Sequence, residues 1–372
     1  MKKILAIIIT SFACSLLITV IIVIAQRKPP SPILSPKPTS EITPKRIIGF
    51  LPYWQVNNLG SINFSQIDEI IYFGLHLDEK GQINKGDYNL LKQLGKPNLS
   101  VALVLQNNEK VETFLKNESA QQALIESVAG ILAEQPLLGI NLDFEYSGIP
   151  GKETASGFAT FVANFVRELK VKYPQLTVSV DITADAVKKS RLYDVEKLAK
   201  AADYIILMGY DFYRPASSVA GPVAPLLGKE IYEYDVATAV SDFLTVVPRE
   251  KLILGVPYYG WDFPTVDESR GSFVEKRPNE AVALSSYKRT RGLLQKEKIA
   301  YQFDNDSQTP WFVYRDPETA GVRQVWFENE ASLAKKYDLV NKENLAGIAI
   351  WALGYDGNYQ ELSNLLEEKF KK

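Results

Sequence analysis

Residues 139–145 read Gly139-Ile140-Asn141-Leu142-Asp143-Phe144-Glu145, with Leu138 before them and Tyr146 after. Polar and apolar residues alternate, the period of a β-strand. Asn141, Asp143 and Glu145 therefore share one face, and Ile140, Leu142 and Phe144 share the other. An apolar face packs on helices. A face with two carboxyls does not belong against a helix, but it suits the axis of a closed barrel. Gly148 and Pro150 then end the strand.

Seven more apolar runs have strand length: Ile47–Trp54, Glu69–Leu75, Val101–Gln106, Leu176–Asp181, Tyr204–Asp211, Lys251–Tyr259 and Gly347–Leu353. Helical patterns separate them at Ser119–Glu134, Ala155–Lys172, Val195–Ala201 and Asp235–Leu244. Eight strands with helical crossovers predict an α/β fold, the TIM (β/α)8 barrel. A doubly wound sheet is the alternative, but no G-x-G-x-x-G follows the first strand. The gap between strands seven and eight is too long for one helix. Residues 262–322 are expected to form a small α+β insertion there, with strands at Ile299–Phe303, Trp311–Tyr314 and Arg323–Phe327. A helix from Asn329 to Lys336 would return the chain to strand eight.

The N-terminal segment is set apart by composition. Residues 4–25 are 22 uncharged residues, about 33 Å long as a helix, enough to span a bilayer core. Lys2, Lys3, Arg27 and Lys28 flank them. We expect 1–28 to be an uncleaved transmembrane anchor, the alternative being a signal segment cut after Ala25. Positive charge on both sides leaves its orientation open. Residues 29–44 contain six prolines in sixteen positions and read as a semi-stiff linker. The expected domain is 45–372, extracytoplasmic and held at the cell membrane, or secreted if the segment is cut.

The 372 residues hold one Cys and one His, which excludes disulfide scaffolds and Cys/His metal clusters. A carboxylate-only metal site stays open on these counts. Six of the 42 basic residues and one of the 44 acidic residues lie in 1–45, leaving 36 against 43, a net charge of −7. This argues against nucleic acid as a partner. Two carboxyls about 6–7 Å apart on one strand face repel, so at least one can stay protonated near neutrality. Glu145, nearest the C-terminal end, suits a general acid. Asp143 can share its proton, and Asn141 can orient Asp143. A salt bridge or loop cap is the other reading of such a pair.

The stretch LGINLDFEY resembles the catalytic strand of glycoside hydrolase family 18, the chitinase-like family, whose motif is D-G-x-D-x-D-x-E. Gly139, Asp143 and Glu145 match; Leu138 and Asn141 replace two of its aspartates. Asn141 is familiar in the branch resembling spore-cortex and peptidoglycan N-acetylglucosaminidases. Met208-Gly209-Tyr210-Asp211 resembles the family's M-x-Y-D, and Trp351 its tryptophan under the sugar. Gly255–Gly260 and Gln324–Glu328 also fit, so the resemblance covers roughly 45–372.

It implies substrate-assisted, retaining hydrolysis of glycans with β-linked N-acetylglucosamine. Glu145 would be the acid and base, with Asp143 and Tyr210 holding the acetamido group. Asp211, Met208 and Trp351 would contact the sugar. Tyr53, Trp54, Tyr258, Tyr259 and Trp261 either line the groove or pack the barrel. Asp181 either reaches the catalytic strand or caps the next helix. We expect a monomer needing neither cofactor nor metal. The alternative function is a non-catalytic, lectin-like barrel, which the presence of Glu145 disfavours.

Overall fold

The computed structural model describes residues 44–94, 98–277 and 280–371. The expected anchor at 4–25 and all of the linker but Pro44 lie outside them. Among the described residues no helix is long and apolar enough to cross a membrane.

Eight parallel strands close into a barrel. They are β1 (Arg46–Pro52), β2 (Glu69–His76), β3 (Leu99–Leu105), β4 (Gly139–Phe144), β5 (Thr177–Thr183), β6 (Tyr204–Met208), β7 (Leu252–Pro257) and, near the chain end, Gly347–Trp351. That last strand pairs with both β1 and β7, so no edge is left open. The helices Lys85–Leu94, Asn108–Leu115, Glu118–Glu134, Lys152–Lys172, Val195–Ala201, Val236–Phe243, Glu330–Lys342 and Glu361–Phe370 accompany it. Several start on a side chain that accepts a backbone N–H: Asn117, Asp194 and Asp235 each cap the helix that follows.

The strand alternation is realised as read. Ile140, Leu142 and Phe144 join the layer between barrel and helices. Phe144 meets Phe114, Phe158 and Phe161 at ring-centroid distances of 5.4–5.6 Å. Each fully buried side chain of this kind contributes roughly 1.5–3 kcal/mol. That burial offsets the cost of placing carboxyls on the opposite face.

The barrel interior is divided. Ile48, Phe50, Ile71, Phe73, Ala102, Val104, Ile206, Ile253 and Ala349 form an apolar plug. The neighbouring strands β4 and β5 instead send in Asn141, Asp143, Ser179 and Asp181, all buried. At the N-terminal end, Arg46 and Ser100 both donate to the Glu69 carboxylate.

Strand seven is shorter than its apolar run. It ends at Pro257, and the chain turns at Tyr258 into β8 (Tyr259–Pro264). With β9 (Ala283–Ser286), β10 (Gln302–Asp304), β11 (Thr309–Arg315) and β12 (Val322–Trp326), β8 forms a separate antiparallel sheet, ordered β10-β11-β12-β8-β9. The barrel strand Gly347–Trp351 is β13. This sheet takes residues Tyr259 to Trp326, beyond the 262–322 segment at both ends, and it carries the helix Tyr287–Lys296. Its centre is Asp262, fully buried, which accepts from Arg289, Tyr314 and Arg323.

Candidate active site

Asp143 and Glu145 stand at the C-terminal end of β4, where barrel strands deliver reactive groups. Asp143 is buried, whereas Glu145, one residue past the strand, keeps exposed surface. Val104 pairs with Asp143 across β3 and β4, which brings Gln106, two residues on, level with Glu145. Gln106 Nε2 donates to Glu145 Oε1 at 3.0 Å.

From β5, Asp181 faces the same interior. The β4–β5 ladder pairs Asn141 with Ser179 and Leu142 with Val180, so Asp143 and Asp181 follow one step on. Asn141 Nδ2 donates to Asp181 Oδ1 at 2.8 Å and to Ser179 Oγ at 3.0 Å. Both of its amide hydrogens are directed at β5, which leaves its oxygen as the group that can orient Asp143. Of the two readings of Asp181, the reach to the catalytic strand holds. Asp194, not Asp181, caps the next helix.

Tyr210 and Asp211 follow β6. Met208, half-buried, closes that strand on the same parity as the interior residue Ile206. The Tyr210 ring lies against Gly255 of β7, where an added Cβ would come within 3.1 Å of it. Asp211 takes a left-handed backbone, φ 59°, and accepts from Tyr259 Oη at 2.7 Å and Trp261 Nε1 at 3.0 Å. Trp351, half-buried at the end of β13, is packed edge-on by Phe73 at 4.7 Å. Trp54 stands 6.4 Å from Trp351 and Tyr53 stands 4.9 Å from Trp54, both exposed at the rim.

The electrostatics follow from burial and crowding. Burial first, then the charges of Glu145 and Asp181, holds the Asp143 carboxyl well above the usual range. Burial and the charge of Asp211 push Glu145 up, against the opposing hydrogen bond from Gln106. Asp181 is pushed up to about 8, by burial and by Glu145, with the Asn141 hydrogen bond opposing. Burial also raises Asp211, opposed by the Tyr259 and Trp261 donors. Tyr210 is held well above its usual range by burial and then by Asp181, Asp143, Asp211 and Glu145. One phenol thus feels all four carboxyls and stays a hydroxyl, a donor.

Two of the expected groove aromatics are support. Tyr258 is buried with its hydroxyl 3.3 Å from that of Tyr337, in the outer packing layer. Because the chain leaves β7 there, Tyr258 does not reach the cleft. Tyr259 is buried and holds Asp211. Trp261 keeps part of its surface. The reading of the residues also passed over Gln106 and Tyr193, whose hydroxyl donates to the Phe144 carbonyl at 2.9 Å. Gln106 carried a signal, a polar residue ending an apolar strand. Tyr193 carried none, because only the folded loop after β5 brings it to β4. His76 sits at the rim, its ring 5.8 Å from that of Tyr53. Among the described residues, no cluster of three or more His, Cys, Asp or Glu side chains could hold a metal ion.

A closed parallel barrel whose C-terminal mouth gathers carboxyls of raised pKa beside a phenol belongs to the class of barrel enzymes that use carboxyls as acids and bases. Within that class the particular family is shown by sequence. The family model for glycosyl hydrolases family 18 matches residues 46–356, and the chain belongs to that family. The cortical fragment-lytic enzyme of Bacillus subtilis (strain 168) is 24% identical over 282 residues, 71% of this chain and 59% of that protein. Two solved structures share the fold. The spore cortex-lytic enzyme SleL of Bacillus megaterium QM B1551 matches with a TM-score of 0.70 at 20% identity, over 92% of this chain and 76% of that one. The Group IV chitinase of Ostrinia furnacalis matches with a TM-score of 0.75 at 22% identity, over 88% of this chain and 100% of that one. The chain spans 54–66% of the length of the first curated relatives it matches.

Proposed function

We propose that this chain is a retaining β-N-acetylglucosaminidase acting on peptidoglycan or chitin-like glycan at the cell envelope. One observation carries the reading: Asp143 and Glu145 at the end of β4 stand at the same mouth of the barrel as Tyr210 and Asp211 after β6 and Trp351 at the end of β13. Glu145, whose pKa burial and Asp211 raise, gives its proton to the glycosidic oxygen as that bond breaks. The 2-acetamido oxygen of the same sugar forms the new bond to the anomeric carbon, so the enzyme supplies no nucleophile. Tyr210 donates to that oxygen, and Asp143 accepts from the acetamido N–H and fixes the angle of attack. Glu145, now ionised, takes a proton from water as the water oxygen replaces the acetamido oxygen. Two inversions give net retention. Trp351 offers an apolar floor, and Trp54 and Tyr53 extend the aromatic surface along the rim.

The apolar run 4–25 with its basic flanks supports a cell-envelope location. The similarity to a cortical fragment-lytic enzyme favours wall glycan over soluble chitin.

The test is hydrolysis of fluorogenic N-acetylglucosamine oligomers by the full-length chain, with Glu145→Gln beside it. The substitution should remove at least about two orders of magnitude in rate, and NMR of the first product should show the β anomer. Sugar binding without turnover by the unaltered chain would favour the lectin. Purified wall glycan and chitin oligomers, compared by the mass of their reducing-end products, separate the two substrates.

A further inference from the structure

The mechanism above leaves one carboxyl of the cluster without a task. Asp181 is 4% exposed and projects from β5 on the same side as Ser179. Both accept from the Asn141 amide, so the Nδ2 side of that group faces β5 and its Oδ1 faces away. Asn141 Oδ1 is buried without a protein hydrogen-bond partner, and so is Asp143 Oδ1. These two oxygens belong to residues two apart on one strand face. A single hydrogen between them would satisfy both, and a buried polar atom left unsatisfied costs about 1–3 kcal/mol. Both amide hydrogens of Asn141 are already engaged. A proton on Asp143, whose carboxyl burial holds well above the usual range, would supply that hydrogen.

We propose that Asp181 is a positioning residue: by accepting from Asn141 it turns the Asn141 oxygen toward Asp143 and keeps the Asp143 proton on Oδ1. The other carboxyl oxygen, Oδ2, is then free to accept from the acetamido N–H. No proton moves in this arrangement; one already present is held in place. Asn141 stands where the family motif has an aspartate, and here the neighbouring strand supplies that carboxyl. The groups facing Asp181 are Asp143 and Glu145 from β4, Tyr193 from the loop after β5 and Tyr210 after β6. Burial first, then the charge of Glu145, pushes Asp181 up to about 8, so it is itself neutral at neutral pH. The catalytic part of this role rests on the glycosidase reading.

The experiment compares Asp181→Leu, Asp181→Asn and the exchange Asn141→Asp/Asp181→Asn in the full-length chain. Leu removes the acceptor; Asn keeps one without the ionisable group. Asp181→Leu should lower kcat at least about tenfold with KM within about threefold. Asp181→Asn and the exchange should recover most of that loss. A folded Leu variant with undiminished kcat, or an Asn variant as damaged as Leu, overturns the proposal.

A substrate-free arm covers a Leu variant that fails to fold. A carboxyl raised in the folded state contributes stability below its unfolded pKa, and that contribution is lost as pH rises through the folded value. The Tm advantage of Asp181→Asn over the unaltered chain should thus widen by at least about 3 °C from pH 5 to pH 8, then level off. A constant difference overturns the protonated Asp181. If the unaltered chain cleaves no N-acetylated oligomer, the glycosidase reading falls, and the thermal series judges the Asp181–Asn141 pair alone.

Discussion

At the residue scale, the working acid is set by a contest between neighbours. Burial and Asp211 raise Glu145, while the Gln106 amide stabilises its charged form. Removing that donor by Gln106→Ala leaves the raising influences unopposed. Glu145 then keeps its proton to higher pH, and the alkaline limb of the kcat/KM profile should move upward. A limb that stays in place would assign that ionisation to another group. Tyr210→Phe removes a hydroxyl that feels the charges of four carboxyls. The loss should be about a hundredfold in kcat, read on the same fluorogenic oligomers. Asn141, Asp143 and Glu145 were legible because strand alternation alone places them on one face. Asp181 was only half legible: its spacing fits both a strand end and a helix start, and the β4–β5 register decided between them. Gln106 depends on the β3–β4 register in the same way.

At the element scale, ends and close approaches decide stability. Asn329 and Ser332 form a capping box on the helix Glu330–Lys342, the helix that carries the chain back to β13. Asn329→Ala should cost about 1 kcal/mol in chemical denaturation, with activity retained because no cleft residue is touched. Gly260 in β8 is a harsher site. A Cβ there would lie 1.8 Å from the Trp326 carbonyl of β12. Gly260→Ala should lower Tm sharply or abolish soluble expression, because the contact is with backbone and cannot rotate away. The apolar run Lys251–Tyr259 shows why element ends are hard to read. Nothing in its composition marks the turn at Tyr258. The change is one of partners: β7 pairs with β6 and β13, whereas β8 pairs with β9 and β12. That switch carries Tyr258 out of the cleft and makes Tyr259 a brace for Asp211.

At the scale of the whole molecule, buried charge is the recurrent theme, handled in two ways. In the second sheet and the helix after it, charges are paired: Asp262 with two arginines, and Glu328 with Lys336 at 2.9 Å, both fully buried. Lys336→Met alone would leave Glu328 buried and unpaired, a loss of about 3–5 kcal/mol. Glu328→Gln/Lys336→Met should recover much of it, read by denaturant midpoints. In the barrel mouth, carboxyls are gathered, and burial and mutual repulsion raise their pKa values. Stability held by Asp181 is therefore present at low pH and declines as pH rises from the unfolded carboxyl range to about 8.

The sequence by itself determined the eight-strand barrel and the strand that carries the acid, because alternation, apolar runs and helical stripes are local patterns with fixed periods. It also marked Tyr210, Asp211 and Trp351 through short motifs at strand ends. Only the tertiary structure decided which carboxyls share a proton-rich mouth, which aromatics face the cleft and where β7 gives way to β8. Those outcomes depend on register between strands distant in the chain, and one residue of register exchanges the inside of a barrel for its outside.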